Sequence, residues 1–302
     1  MSGHDFGSKE SNVQAFSVRD FFKEFPNDDA CLNRVMEVRF GLRHVCAKCN
    51  KEATFHRING RRAFACAACG HHLYPCAGTI FNDSRTPLTV WFYAIYLFVA
   101  TRHGVSGKEL QRQLGVTYKC AYRIGQQIRS LMAKADEFEM LQGHVELDEA
   151  YVGGRRPGKR GRGAEGKTIV MGLKERGGPL KTEVIPNVKK DTLRGVVLQN
   201  IEKGAVVSTD ELYSYGLLEG DGYKHGAVKH GAKEWAYYDY RHDAVHHTNH
   251  VESFWRLFKR SIASTHIHVS QKRMAVYLGE FQFRANHRQM KNAMFDLLIG
   301  AL

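Results

Sequence analysis

Four of the seven cysteines form two closely spaced pairs of the kind that hold zinc. Two residues separate Cys46 from Cys49 and Cys66 from Cys69, and sixteen residues lie between the pairs. Two thiolates on each of two tight turns can converge on one tetrahedral ion, at a Zn–S distance of about 2.3 Å. Because four thiolates leave no open position for water, we expect one structural zinc ion here, and four metal-free buried cysteines are the weaker alternative.

Asp148 and Asp210 lie in segments whose residue patterns are typical of β-strands. The segment 145–152 alternates apolar and polar residues, and a run of Val-Val-Ser-Thr ends at Asp210. A carboxylate in a buried sheet is costly unless it is paired or binds a metal, and strand ends of open α/β sheets are where sites gather. We therefore expect the two carboxylates to meet on neighbouring strands. The alternatives are a paired core acid for Asp148 and a helix cap for Asp210.

A helix predicted over about 249–264 supplies the candidates for a third ligand. Its buried stripe consists of the apolar residues at i, i+3, i+4 and i+7, which are Val251, Phe254, Trp255 and Phe258. Asn249, Glu252 and Lys259 share another side, so the helix can direct Asn249 or Glu252 at a metal while Lys259 reaches DNA. A surface ion pair with Arg256 or Lys259 is the alternative for Glu252.

The three acids taken together predict phosphodiester chemistry with two divalent cations. Mg²⁺ and Mn²⁺ prefer hard oxygen ligands. Two such ions about 3.5–4 Å apart can flank a scissile phosphate, where one activates water or a 3′-hydroxyl and the other stabilises the leaving oxygen. A serine or tyrosine recombinase would have no use for such an acidic set.

Three groups of residues are candidates for DNA contact. The segment 104–132 reads as helix, turn and helix, with Tyr118, Lys119 and Arg123 facing a major groove, although an ordinary helical hairpin fits its pattern about as well.

The glycine-rich segment 153–167 is predicted to be a hairpin tip lying along the DNA backbone, or else a solvated loop, and its basic residues include Arg155, Arg156, Lys159, Arg160 and Arg162. Several histidines surround Asn249 in the sequence, and we expect His247 to lie nearest the catalytic pocket. A second zinc site among these histidines is the weaker interpretation, because their spacing matches no regular zinc motif.

The elements that must position these residues follow an α/β order. Three strands, a helix, a strand, a short helix, a strand and closing helices are predicted after residue 143, which is the order of a ribonuclease-H-like domain. We expect an N-terminal helical segment (1–40), a zinc ribbon (41–80), a helical, helix-turn-helix-like DNA-binding segment (84–141) and the catalytic domain (143–290).

The overall composition agrees with a nucleic-acid partner. The 302 residues carry 44 Lys and Arg against 31 Asp and Glu, a formal charge of +13, and a surplus of that size usually serves a polyanion. The odd cysteine count and the polar N-terminus argue against disulfides and a signal peptide, so a cytoplasmic location is expected.

Several segments, in one order, resemble the zinc-ribbon insertion-sequence transposases of the DDE superfamily, the group typified by ISXO-like elements. They are the two cysteine pairs, Gly78-Thr-Ile-Phe81, Thr86-Pro-Leu88 with Trp91, Val145 to Gly154, Ser208-Thr-Asp210 with Tyr213, His247-Thr-Asn249, Glu252-Ser-Phe-Trp255, Lys259-Arg260 and Glu280-Phe-Gln-Phe-Arg284 with Asn286. The resemblance covers roughly residues 20–290. It implies a metal-binding acidic triad whose first two members match Asp148 and Asp210. The third position is Glu or Asn in that group, which leaves Glu252, our choice, and Asn249, while Lys259 and the adjacent Arg260 would contact DNA near the cleaved end.

The resulting hypothesis is a transposase that binds insertion-sequence ends and cleaves and joins double-stranded DNA. Synapsis of two ends leads us to expect a homo-oligomer on DNA. The alternative is a domesticated zinc-ribbon regulator that binds DNA but has lost cleavage, and the intact set of acids argues against that loss.

Overall fold

The computed structural model describes residues 16–136, 139–153, 167–290 and 293–302. Its helices are α1 (Val18–Glu24), α2 (Asp28–Arg39), α3 (Leu88–Ala100), α4 (Gly107–Leu114), α5 (Tyr118–Ala135), α6 (Lys190–Asn200), α7 (Asn249–Ser261), α8 (Met274–His287) and α9 (Ala293–Gly300). Its strands are β1 (Arg43–Val45), β2 (Glu52–Ile58), β3 (Ala63–Cys66), β4 (His72–Leu73), β5 (His144–Val152), β6 (Thr168–Glu175), β7 (Leu180–Ile185), β8 (Val206–Asp210), β9 (Lys224–Val228), β10 (Tyr237–Asp239) and β11 (Ala244–His246).

The N-terminal half combines a small sheet with a helical core. Strands β1 to β4 pair antiparallel in chain order, and the helices pack around buried aromatic side chains that include Phe21, Trp91 and Phe92. The C-terminal helix α9 joins this core through Phe295, which lies 5.5 Å from the ring of Phe25. The chain therefore returns to its N-terminal helices, a contact that was not predicted.

A five-stranded sheet forms the second half, in the order β7-β6-β5-β8-β9. Strands β5, β6 and β7 are antiparallel neighbours, while β8 and β9 run parallel to β5. Helix α6 packs on one face through Leu193 and Val197. Helices α7 and α8 cover the other face through residues such as Phe258 and Phe281. The mixed α/β class and the predicted order of these elements are confirmed, whereas the hairpin β10–β11 was missed.

Helix α8 fastens the edge of this sheet to α5. The Gln282 side-chain oxygen accepts from the Thr182 backbone N–H of β7 at 2.7 Å, and the Asn286 side chain pairs with both backbone groups of Leu180. The amide nitrogens of Gln282 and Asn286 both donate to Asp136, directly after α5. Edge-strand groups that would otherwise be open to other chains are thereby covered.

The helical segment has the predicted local structure. Ser106 caps α4, since its hydroxyl accepts from the Glu109 N–H at 3.1 Å. Gly115 ends α4 in the left-handed conformation at φ 63° and turns the chain into α5. Two helices joined by a glycine turn are therefore present, but their geometry does not show a DNA-reading role.

No helix among the described residues is both long enough and apolar enough to cross a membrane.

Candidate active site and metal centres

The four paired cysteines converge on one point. Their four sulfur atoms all lie within 4.8 Å of one another, and they belong to Cys46, Cys49, Cys66 and Cys69. The Cys46 and Cys69 sulfurs are 3.8 Å apart, which matches the edge of a tetrahedron with metal–sulfur arms of about 2.3 Å. The donor set and its spacing therefore fit a structural zinc ion.

Each cysteine pair lies on a turn that ends in a left-handed residue. Asn50 at φ 55° and Gly70 at φ 70° follow the second cysteines, and their N–H groups bond to the carbonyls of Cys46 and Cys66 at 2.9 and 2.8 Å. Backbone N–H groups of Cys49 and Lys48 donate to the Cys46 sulfur and lower its pKa to about 7. The first turn thus favours the metal-binding thiolate form of Cys46. On the second turn a backbone hydrogen bond from His71 lowers the pKa of Cys69, but burial and the neighbouring cysteines outweigh it and raise that pKa to about 11.

The sheet brings the two predicted aspartates side by side. Asp148 lies within β5, and Asp210 is the last residue of the parallel neighbour β8. The pair Glu146 and Ser208 are in register, so Asp148 and Asp210, each two residues further on, project on the same face of adjacent strands. Glu252 lies in the first turn of α7, which covers that face.

Repulsion among these acids is visible at Asp148. Its pKa is raised to about 8, first by burial and then by the negative charges of Glu149, Asp210 and Glu252. Glu149 is oriented by the Tyr215 hydroxyl, which donates to its carboxylate. The three predicted acids therefore lie close enough for their charges to act on one another, and burial favours the neutral form of Asp148.

Gly172 lets helix α7 approach this centre closely. It lies directly across the ladder from Asp148 on β6. A Cβ atom there would be 2.7 Å from the Trp255 ring and 2.9 Å from a Val251 methyl. Since both residues belong to the predicted buried stripe of α7, the glycine determines how near the helix carries Glu252.

A buried carboxylate two residues before Asp148 anchors the start of the same helix. Glu146 accepts from the backbone N–H of His250 at 2.8 Å and of Val251 at 3.3 Å, two of the unpaired donors at the N-terminus of α7. It also accepts from Arg176 Nε at 2.8 Å and His250 Nδ1 at 2.7 Å. Burial alone would raise its pKa, but these hydrogen bonds outweigh burial and lower it. Sequence reasoning assigned Glu146 no role, although its place on the Asp148 face was a signal.

Comparisons with known proteins agree with this arrangement. The family model for the ISXO2-like transposase domain matches residues 140–286, and the model for the transposase zinc-ribbon domain matches residues 26–72. An uncharacterized protein in transposable element ISH50 of Halobacterium salinarum is 30% identical over 304 aligned positions, covering 93% of this chain and 99% of that protein. The chain belongs to the ISXO2-like transposase family.

Two further likenesses are narrower. An uncharacterized transposase-like protein of Haemophilus influenzae is 26% identical over 113 residues, which cover 37% of this chain and 84% of that protein. The match to a chain of the solved structure "Mos1 transposase paired-end complex with left transposon end" covers 64% of this chain and 79% of that chain, at 13% identity and a TM-score of 0.20. The predicted membership of a zinc-ribbon transposase family is confirmed by the family models and by the Halobacterium relative.

The two candidates for the third ligand of the family lie differently on α7. Glu252 is half-buried, accepts from the Thr248 hydroxyl at 2.6 Å and lies 3.3 Å from His230 Nε2. Asn249 is the exposed first residue of the helix. The negative charge of Glu252 thus helps to raise the pKa of Asp148, and its carboxylate contacts Thr248 and His230. Among the described ion pairs, the alternative pairing of Glu252 with Arg256 or Lys259 does not occur.

The predicted DNA-contact residues are spread over two exposed surfaces. Lys259 and Arg260 are exposed in the last turn of α7, where Lys259 lines a cavity of 310 Å³ beside Tyr151 and Gly153 at the end of β5. A cavity of 340 Å³ next to it is lined by Tyr118 of α5. The other two predicted residues of that helix, Lys119 and Arg123, are also exposed. Both cavities share residues 267–269.

Two further predictions about DNA contact fall elsewhere. His247 is turned inward, with Nδ1 3.0 Å from Glu146 and its carbonyl accepting from Arg176. It therefore lies beside the acidic centre, against the anchor of α7. The predicted basic tip with Arg155, Arg156, Lys159, Arg160 and Arg162 lies outside the described residues.

Proposed function

We propose that this transposase-family protein binds the ends of an insertion sequence and cuts and joins DNA with two divalent cations held by Asp148, Asp210 and Glu252. The observation that carries the proposal is the gathering of three carboxylates from three separate elements, where burial, Glu149 and the negative charges of Asp210 and Glu252 together raise the pKa of Asp148 to about 8. Divalent cations bound there would offset this repulsion and favour the ionised form of Asp148.

The donor set suits the cations. Carboxylate oxygens are the hard ligands that Mg²⁺ and Mn²⁺ prefer. Bound there, two ions would activate water or a 3′-hydroxyl and stabilise the leaving oxygen of the scissile phosphate.

The surrounding residues orient the triad. Glu146 and Arg176 hold the first turn of α7, Gly172 sets its distance from the sheet, and Thr248 fixes one Glu252 oxygen. Glu252 is supported as the third ligand because its charge acts directly on Asp148. Asn249, exposed at the helix N-terminus, would then contact a phosphate.

The strand order supports a ribonuclease-H-like catalytic domain, and the exposed basic residues support a DNA path along its surface. Lys259 and Arg260 would contact the DNA strand near the cleaved end, and His247 would support the start of α7 through its contacts with Glu146 and Arg176. The helices α4 and α5 would present Tyr118, Lys119 and Arg123 to the terminal sequence. Pairing of two ends would require at least two copies of the chain on DNA.

The decisive experiment is a cleavage assay on a labelled duplex that carries the element's own end. With added Mg²⁺ or Mn²⁺, wild type should nick the duplex, while Asp148→Ala and Asp210→Ala should lose at least about 10³-fold in rate. Glu219→Ala, which changes an exposed acid outside the centre, is the matched control and should cleave like wild type. Omitting the divalent cation, rather than adding a strong chelator, leaves the zinc site intact during the comparison.

Further variants resolve the third ligand. Glu252→Ala should behave like the two aspartate variants, while Asn249→Ala should mainly weaken DNA binding. The reverse result would assign the third position to Asn249. End-specific binding without cleavage in any metal would indicate a DNA-binding regulator, and metal-independent cleavage with covalently attached DNA would refute the acidic mechanism.

A further inference from the structure

The hairpin β10–β11, between β9 and α7, carries three metal-binding side chains directed at one point. Asp239 ends β10, His242 lies in the connecting turn and His246 ends β11. One donor atom of each lies within 4.8 Å of the other two. The spacing of two and three intervening residues gave no clean zinc motif in the sequence, and the hairpin is what brings the three together.

A buried nitrogen of His246 points to a bound ligand. Its side chain is fully buried. Nδ1 is 2.9 Å from the Ser208 hydroxyl, but Nε2 has no hydrogen-bond partner among the described residues. The nearest acidic oxygen, Asp239 Oδ2, is 3.8 Å away, which is too far for a hydrogen bond. Buried polar atoms are normally satisfied, so this nitrogen needs an explanation.

Asp239 and His242 complete a donor set around that nitrogen. Asp239 Oδ1 accepts from the Arg241 N–H at 2.8 Å, which fixes the carboxylate, and Oδ2 lies 2.8 Å from His242 Nδ1. A simple Asp–His hydrogen bond accounts for His242 but leaves His246 Nε2 without a partner. A cation between the three donors accounts for both histidines.

The sheet provides a fitted place for the His246 ring. Gly226 of β9 pairs with Ser208 of β8. A Cβ atom at Gly226 would lie 2.5 Å from the ring atoms. The ring therefore rests on the backbone of β9 while its Nδ1 faces Ser208, two residues before Asp210. Fixing one ring nitrogen through a hydrogen bond is how metal-binding histidines are usually oriented.

We propose that Asp239, His242 and His246 bind a second Zn²⁺ ion, separate from the four-cysteine site, that fastens this hairpin to the strand ending in Asp210. Two imidazoles and a carboxylate are ligands that zinc accepts, and three protein ligands leave a fourth position for water. Tetrahedral arms of about 2.0–2.1 Å require donor separations of about 3.3–3.4 Å. The distances of 2.8 and 3.8 Å from Asp239 Oδ2 bracket that value, so small side-chain movements suffice.

The test counts zinc in the tag-free full-length protein and separates the two sites by chemistry. After equilibration with Zn²⁺ and gel filtration, elemental analysis should give about two zinc ions per chain. A thiol-specific mercurial should release only the ion held by the cysteines. His242→Ala should lose the other ion. Ser208→Ala should retain the site with about 10–100-fold weaker zinc affinity, measured by competition with a chromophoric chelator.

Controls keep the test independent of folding and of DNA cleavage. His268→Ala, an exposed histidine outside the cluster, should keep both ions, and circular dichroism should show each variant folded. Asp239→Asn, which preserves side-chain shape, replaces His242→Ala if that variant is unfolded. One zinc ion per wild-type chain, all released by the mercurial, would overturn the proposal whichever variants fold. Two ions retained in a folded His242→Ala protein would overturn it as well.

Discussion

The acidic centre and the ion cluster between α5 and α8 both bury carboxylates, yet they neutralise them in opposite ways. Glu280 is fully buried and accepts from Arg129 Nε at 2.7 Å and Arg284 Nη2 at 2.9 Å. Burial raises its pKa, but the two guanidinium charges outweigh burial and lower it. At Asp148, burial and the neighbouring acids act together and raise the pKa to about 8.

The difference separates acids that hold the fold together from the acids proposed to carry out the chemistry. Glu280 is compensated by cationic side chains of the same chain, whereas Asp148 is buried among further carboxylates, whose repulsion we propose ions from solution to offset. The boundary between the two kinds falls within a single strand. Glu146 is compensated by Arg176, and Asp148, two residues further along β5, is surrounded by acids.

Removing the charge of Glu280 should have the largest effect on stability. Glu280→Gln leaves Arg129 and Arg284 buried without a counter-charge, and breaking a buried pair in this way costs about 3–5 kcal/mol. Urea unfolding followed by circular dichroism should therefore show a much lower midpoint. Because Arg129 belongs to α5 and Glu280 to α8, the loss should weaken the contact between these two helices.

An exposed ion pair supplies the matched control for that prediction. Glu109 and Arg112 pair on the surface of α4, with 35% and 74% of their side chains accessible. Glu109→Gln should change the free energy of unfolding by less than about 1 kcal/mol. Equal losses in the two variants would mean that burial does not distinguish the Glu280 cluster.

The second prediction concerns the distance between helix α7 and the sheet. In Gly172→Ala the new methyl group meets the Trp255 ring and must displace α7, and with it Glu252, from Asp148. Because a misplacement of about 1 Å can cost about 10²-fold in rate, Mg²⁺-dependent cleavage should fall by that order while binding to end DNA persists.

Another glycine provides the comparison for this variant. Gly195 on α6 has open space around its Cβ position, so Gly195→Ala should leave cleavage unchanged and slightly stabilise the protein. If Gly172→Ala cleaves DNA at the wild-type rate, α7 is not held at a critical distance, and the role given to this glycine is wrong.

The parts of the site that could be predicted from the sequence depend on local periodicity. The alternation around Asp148 and the i, i+3, i+4, i+7 stripe of α7 each specify which side chains face inward. They therefore located the β5 strand and the buried stripe Val251, Phe254, Trp255 and Phe258 correctly. The paired cysteines are equally local, because each pair needs only one tight turn.

The parts that could not be predicted depend on contacts between residues far apart in the chain. Arg176 reaches Glu146 across the β5–β6 pair, and Glu146 reaches the start of α7 more than a hundred residues later. The hairpin histidines acquire a common direction only when β10 and β11 pair. The motif from Glu280 to Asn286 was noticed as a family pattern, but its role in joining α8 to β7 and α5 required the packed structure.

The last prediction, with the smallest expected effect, compares the melting temperatures of Asp148 and Glu146 variants in Mg²⁺-free buffer. The folded-state pKa of Asp148 is about 8 against an ordinary 3.8, so its ionised form opposes folding and stability falls as the pH rises from about 4 to 8. Asp148→Asn has no such charge. It should melt near the wild-type temperature at pH 4 and a few degrees higher at pH 8, and added Mg²⁺ should raise the melting temperature of wild type but not of the variant. Glu146→Gln should instead melt at a lower temperature than wild type at pH 8. The pKa of the Glu146 carboxyl is lowered, so its charge favours folding above the ordinary pKa of 4.5. A lower melting temperature for Asp148→Asn at pH 8 would show that Asp148 is compensated within the chain, and the contrast between the two acids of β5 would fail.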